Sequence, residues 1–434
     1  GSGTIEQVEA LCSELYETVL DRDKPLWQTW VIDGLENGQI AIFNKTHHAC
    51  YDGMASVTAI EVLNDYSPTP REVEPAPADF WYSEDTSPQR LMRETWLNLT
   101  RYQLDNWMKW PQRVRSAQQS ARRAATRTFS SKRQPPVMAP KAPWNAAISR
   151  KRRVAGAAFS LSTMKAISKQ TGTKINDVVL AITSEALTRY LNRHKRPVFG
   201  NLIAGCPVSL RKPDDTAMNN QVSMLMVSLE NRVSNPLSRL HSIHQESQAA
   251  KEMLADASEM VESDFGAPFL PAMTQNTAWA TRSGTFANFG THLPVSLVVS
   301  NVPGVSEQLY AVGAKLIGTT PISIVTHGSG LNVTVTSYMD RFDVGLTAAT
   351  SVVPDVEGLR DDFIAAYEQL IEMTIGASGE VETLRSTGTG IAERVEAAVN
   401  PEPLELAPAA EHDAAPEPAR EQTILKDPNT IVPA

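Results

Sequence analysis

The chain has 434 residues, 42% of them hydrophobic and 21% charged, and a formal net charge of −9. That is enough apolar residue for two domains with their own cores, and the acidic balance argues against nucleic acid as a partner. Cys12, Cys50 and Cys206 are few, odd in number and widely spaced, which argues against a disulfide scaffold or thiolate zinc site and fits a cytoplasmic setting, while no apolar run reaches the ~18–20 residues of a membrane-spanning helix.

Residues 4–20 predict an amphipathic helix, with Ile5, Val8, Leu11, Leu15 and Val19 at helical spacing and glutamates between them. Trp27 to Ile32 and Gln39 to Asn44 predict two strands joined by a turn at 33–38. The segment Lys45-Thr46-His47-His48-Ala49-Cys50-Tyr51-Asp52-Gly53 follows, and Met54 to Asn64 predicts a helix packed on the strand that leads to His48. Prolines at 68, 70, 75 and 77 mark a boundary. Residues 89–153 are basic and carry Trp96, Trp107, Trp110 and Trp144. They are read as a partly helical connection, with an interfacial surface for anionic lipid as the functional alternative to a solvated linker.

A second domain is expected from Val154. Phe159 to Ser162 predicts a strand end, with Ser162 capping a helix over 163–170. Ile175-Asn176-Asp177 opens a long apolar helix over Val178 to Tyr190. Strands are predicted over 201–209, 222–229, 295–300, 323–326, 331–338 and 342–348, and helices over 237–253 and 359–375. From 378 the chain is acidic, rich in proline and alanine and free of aromatic residues, which predicts disorder. The order of elements implies an α/β (α+β) fold with mixed sheets covered by helices. The expected division is 1–80, 81–153, 154–377 and 378–434.

The chemistry concentrates at the paired histidines. A histidine where a buried strand ends, followed by an aspartate four residues on and a glycine next to it, can act as a positioned general base, because its pKa lies near neutrality. Neighbours in an extended segment point to opposite faces, so His48 is read as the base and His47 as its support. The base is expected at a water-poor junction. Metal ligation by His47, His48 and Asp52 is disfavoured, since adjacent strand histidines diverge and zinc pairings use helical i, i+4 or spaced Cys/His sets. Cys50 reads as a small buried hydrophobe rather than a nucleophile.

His47-His48-Ala49-Cys50-Tyr51-Asp52-Gly53 resembles the HHxxxDG signature of CoA-dependent acyltransferases. Three further segments resemble the bacterial wax ester synthase/diacylglycerol acyltransferase family in its own order: Leu20-Asp21-Arg22-Asp23-Lys24-Pro25-Leu26-Trp27 is similar to "LDRxxPLW", Asn176-Asp177 to its "ND" segment, and Ser300-Asn301-Val302-Pro303-Gly304 to "SNVPG". The family continues the last segment with a second proline, where this chain has Val305.

The resemblance implies two chloramphenicol-acetyltransferase-like lobes with an active-site tunnel between them. It also implies that an N-terminal part of the first lobe is absent from this chain and could remain bound as a separate piece. It implies a substrate pair of acyl-CoA with a long-chain alcohol or diacylglycerol, no other cofactor, and a peripheral membrane or lipid-droplet surface as partner. That places the protein in the cytoplasm at the inner membrane face or on lipid inclusions. Under it, His48 takes a proton from the alcohol, and the oxygen attacks the thioester without an acyl-enzyme. Asp52 holds the loop through an arginine, and Gly53 permits a tight turn or close packing.

Asn176 either polarises the thioester carbonyl or caps a helix, and Asp177 is mainly structural. Pro25, Leu26 and Trp27 form a wall beside the motif or touch the acyl chain. Asn301, Pro303 and Gly304 shape a loop at the domain interface, with substrate contact possible. Two other readings stay open: another acceptor, such as an amine or polyketide hydroxyl, or a lipid-surface binding protein with an incomplete catalytic lobe.

Overall fold

The structure is a computed structural model that describes residues 3–50, 52–75, 138–209, 222–261 and 294–376, with part of 87–118. Tyr51 and residues 378–434, and with them the disorder expected of the tail, lie outside the described residues. In chain order the elements are α1 (Ile5–Glu17), β1 (Trp27–Ile32), β2 (Ala41–Thr46), α2 (Gly53–Leu63), β3 (Arg152–Ser160), α3 (Leu161–Thr171), α4 (Ile175–Arg193), β4 (Ile203–Ser209), β5 (Val222–Ser228), α5 (Pro236–Val261), β6 (Leu297–Val302), a short β7–β8 hairpin (Tyr310–Ala311, Ala314–Lys315), β9 (Leu331–Tyr338), β10 (Arg341–Ala349) and α6 (Val356–Thr374).

The centre is a six-stranded mixed sheet in the order β3-β10-β9-β6-β4-β5. Strand alternation makes one face apolar. Leu331, Val333 and Val335 of β9, Val344 and Leu346 of β10, and Leu297 and Val299 of β6 join one core with α4, α5 and α6. Residues between them on the same strands, Asn332, Thr334 and Thr347, are buried and polar, and they face the other side. β4, β6 and β9 run parallel, so their C-terminal ends lie at one end of the sheet. A chain leaving α4 enters β4 directly, which puts the N-terminus of α4 at that same end.

β3 is an edge strand, and α1 closes that edge. Three of its outward N–H groups donate to side chains of α1: Arg152 to Glu17 Oε1 (2.9 Å), Val154 to Ser13 Oγ (3.1 Å) and Gly156 to Glu9 Oε1 (2.6 Å). Acceptors four apart on a helix recur every ~6 Å, and N–H groups two apart on a strand every ~6.6 Å, so the two rows match over this length. An unpaired strand edge would otherwise invite pairing with another chain. Val8 and Cys12 of α1 and Phe43 of β2 form a second, smaller core with Val154.

Four local expectations are corrected. β2 lies two residues further on than its pattern suggests, because the pairing with β1 runs through Trp27↔Thr46. The cap of α3 is Ser160, whose Oγ accepts from Thr163 N–H, and not Ser162. Residues 323–326 form no strand: the Ser323 N–H donates to Thr347 Oγ1 and its carbonyl accepts from the Tyr16 hydroxyl, so its backbone groups are taken up by side chains. Trp144 is unlike the other tryptophans of its segment. It is fully buried, donating from Nε1 to the Ser296 carbonyl at 2.8 Å, whereas Trp96, Trp107 and Trp110 are exposed.

Candidate active site

The motif loop hangs from β2, and β2 is fixed to α1 by Lys45. Its ammonium donates to the carbonyls of Leu15 (2.8 Å), Tyr16 (3.2 Å) and Thr18. These belong to the C-terminal end of α1, which has no basic residue of its own in its last turn. A cation here satisfies orphan carbonyls and opposes the negative end of the helix dipole. Burial lowers the Lys45 pKa.

β2 ends at Thr46 and the chain turns at once. His47 N–H donates to the Leu26 carbonyl (2.9 Å), Cys50 N–H to the His47 carbonyl (2.9 Å) and Ala49 N–H to His47 Nδ1 (3.1 Å). His47 Nδ1 is therefore an acceptor, and the neutral ring carries its proton on Nε2. His48 lies in the turn itself and is exposed, while His47 is half-buried. The expectation of two histidines on opposite faces of an extended segment is thus replaced by one at the strand end and one in a turn. The expected enclosure of His48 is not provided by the described residues.

Asp52 is 2% exposed and caps α2, its Oδ1 accepting from Ala55 N–H at 3.0 Å. A carboxylate at this position also favours the positive end of the helix. Gly53 begins the helix where space is scarce: a Cβ there would come within 2.9 Å of Val302 Cγ2. The start of α2 therefore rests on the end of β6.

Three of the motif segments meet here pairwise. Leu26 holds His47 through the backbone, and Trp27 pairs with Thr46 and is exposed, as is Pro25. Val302 touches Gly53, and beyond it Asn301 is half-buried and Pro303 exposed. Gly304 donates its N–H to Ser337 Oγ (3.1 Å), and a Cβ there would overlap the Ser337 carbonyl, so only glycine fits.

Asn176 and Asp177 lie at the same end of the sheet, in the first turn of α4. Asn176 is half-buried, and its side chain makes no hydrogen bond among the described residues, so its amide is not the cap. The capping bond is made by Asp177, whose Oδ2 accepts from Lys174 N–H at 3.0 Å. That oxygen is also 2.6 Å from His244 Nδ1, a partner the sequence pattern did not single out.

Among the described residues no group of three or more His, Cys, Asp or Glu side chains is placed to hold a metal ion. Cys50 is half-buried. Burial, with the Asp177 charge as the next cause, pushes the Cys206 thiol up to about 12.

Comparison with known proteins adds to this geometry. Residues 1–179 match the wax ester synthase/diacylglycerol acyltransferase catalytic domain, and residues 218–371 match the WS/DGAT C-terminal domain. The O-acyltransferase WSD of Acinetobacter baylyi is 30% identical over 396 residues, 88% of this chain and 81% of its own. A Mycobacterium tuberculosis relative is 32% identical over 378 residues, 85% of this chain and 77% of its own. The solved wax ester synthase/diacylglycerol acyltransferase of Marinobacter aquaeolei VT8 superposes with a TM-score of 0.58 at 24% identity, covering 85% of this chain and 76% of that one, and it shares the two-lobed fold. By its sequence matches, its shared fold and the motif segments gathered at the 47–53 loop, the chain belongs to the wax ester synthase/diacylglycerol acyltransferase family.

Proposed function

We propose that this O-acyltransferase moves a long-chain acyl group from acyl-CoA to a fatty alcohol or diacylglycerol, with His48 as general base. The observation that carries the reading is the convergence at one loop: Leu26 on His47, Lys45 on α1, Asp52 capping α2, and Gly53 on Val302. That frame holds one exposed imidazole at the end of the sheet where β4, β6 and β9 finish.

A free alcohol has a pKa far above 7, so a base helps by taking the proton as the bond forms, an effect of ~10²–10⁴-fold. The imidazole takes the hydroxyl proton while the oxygen attacks the thioester carbonyl. The resulting oxyanion collapses, the C–S bond breaks, and the proton passes to the departing sulfur to give CoA thiol and ester. Asn176, with its amide uncommitted, is suited to donate to the oxyanion. His47 supports the turn, since its Nδ1 is already accepting from Ala49. His48 is exposed, and an acyl chain lying over Leu26, Trp27 and Met54 would help to exclude water from it. The direct test is to follow thiol release from palmitoyl-CoA with and without hexadecanol. The mechanism predicts release in step with ester formation and no burst without alcohol; a stoichiometric burst in its absence would establish an acyl-enzyme and overturn it.

The ester products are water-insoluble, and the exposed residues Met92, Trp96, Trp107, Met108 and Trp110, among Arg93 and Arg101, supply a surface suited to an anionic lipid interface. No helix among the described residues is long and apolar enough to cross a membrane. Flotation with anionic vesicles is expected for the parent and reduced for Trp96→Ser with Trp107→Ser; equal flotation would remove this surface from the account. Flotation without any turnover would favour the lipid-binding reading over the enzyme.

A further inference from the structure

The catalytic reading uses Asn176 and leaves its neighbour without a task. Asp177 is 1% exposed, yet it is ionisable and lies beside an apolar strand, β4. Its Oδ1 is buried and has no hydrogen-bond partner among the described residues. Its Oδ2 is shared between Lys174 N–H at 3.0 Å and His244 Nδ1 at 2.6 Å. The helix cap needs only the first of these contacts. The second crosses to a different helix, 67 positions away, and is the shorter.

His244 is itself held. One turn further along α5, the Gln248 amide nitrogen is 2.8 Å from His244 Nε2. In that orientation Gln248 donates to Nε2, which leaves the proton of the neutral ring on Nδ1, pointed at Asp177. The chain Gln248–His244–Asp177–Lys174 therefore ends on the backbone of the α4 N-terminus, two residues before Asn176. A histidine oriented on one side and bonded to a buried carboxylate on the other is a rigid strut, and hydrogen bonds to an ionised group in a low-dielectric site are strong ones.

We propose that His244 is a positioning residue for acyl transfer: through Asp177 it fixes the first turn of α4, and with it the direction in which Asn176 presents its amide to the thioester carbonyl. The proposal rests on the reading of Asn176 as an oxyanion donor. A donor displaced by a fraction of an ångström loses much of its effect in the transition state and little in substrate binding.

The test uses the 434-residue protein with palmitoyl-CoA and hexadecanol. His244→Ala is expected to lower kcat by ~10-fold with KM for palmitoyl-CoA within about twofold. His244→Asn, whose amide N–H occupies the place of the Nδ1 proton, is expected to recover most of the loss. In an Asn176→Ala background, His244→Ala is expected to cost nothing further, because the strut then has nothing to aim. Unchanged kcat in His244→Ala, no recovery in His244→Asn, or a full further loss in the double variant would each overturn the proposal. Parent-like kcat in Asn176→Ala would instead overturn the oxyanion reading, which keeps the two failures apart. If His244→Ala does not fold, His244→Gln, which carries its N–H at the Nε2 position, takes its place in the same comparison.

Discussion

Glu9 shows how one buried carboxyl couples this fold to pH. Burial is the largest influence and raises its pKa to about 7; the Gly156 N–H and Arg360 pull it down, and Glu6 and Glu357 push it up again. Arg360 is a distant partner at 3.9 Å. Between the ordinary glutamate value and about 7 the folded state holds a proton that the unfolded state has released. Stability from this group is therefore complete at low pH and is lost as pH rises through that window, by an amount on the order of 3 kcal/mol. Glu9→Gln keeps a carbonyl oxygen for Gly156 and cannot titrate. Urea unfolding at pH 5 and pH 8 is expected to show the parent losing stability relative to Glu9→Gln; parallel pH profiles would refute the assignment. Residue type and spacing singled out the paired histidines in the sequence, though not the turn that holds them. Glu9 was not legible there, since its periodicity placed it on the polar side of α1, and only the unpaired edge of β3 explains why a glutamate is buried there.

At the scale of elements, the seat of α2 on β6 is the contact most open to test. Gly53→Ala places a methyl 2.9 Å from Val302 Cγ2, so the helix start or the strand end must shift. Overpacking of this kind costs about 1–3 kcal/mol, and here the shift moves the loop that carries His48. Gly53→Ala is expected to lower the thermal midpoint and the transfer rate, and a second change, Val302→Ala, is expected to restore both by making room. A double variant no better than the single one would separate α2 from β6. Elements with clean alternation, such as β9, were legible to the residue, because each is apolar on the face it turns to the core. The stretch 323–326 was not. Its apolar residues suit a strand, but the backbone of Ser323 bonds to Tyr16 and Thr347 and that of Thr326 to Ser329, so no ladder forms.

For the whole molecule, the topology gathers residues 26, 47, 53 and 302 at one end of a mixed sheet. The order of the motifs identified the family. Their contacts followed only from strand order, because β6 reaches the loop by lying between β9 and β4. His244 belongs to the same class of residue, invisible to spacing and visible once α5 is seen against α4. The measurement that bears most directly on the central claim is transfer from palmitoyl-CoA to hexadecanol by His48→Ala, with the thermal midpoint recorded on the same sample. A base at this position predicts loss of transfer by ~10²–10⁴-fold with the midpoint unchanged, and a milder effect for His47→Ala. Transfer by His48→Ala at the rate of the parent would contradict it.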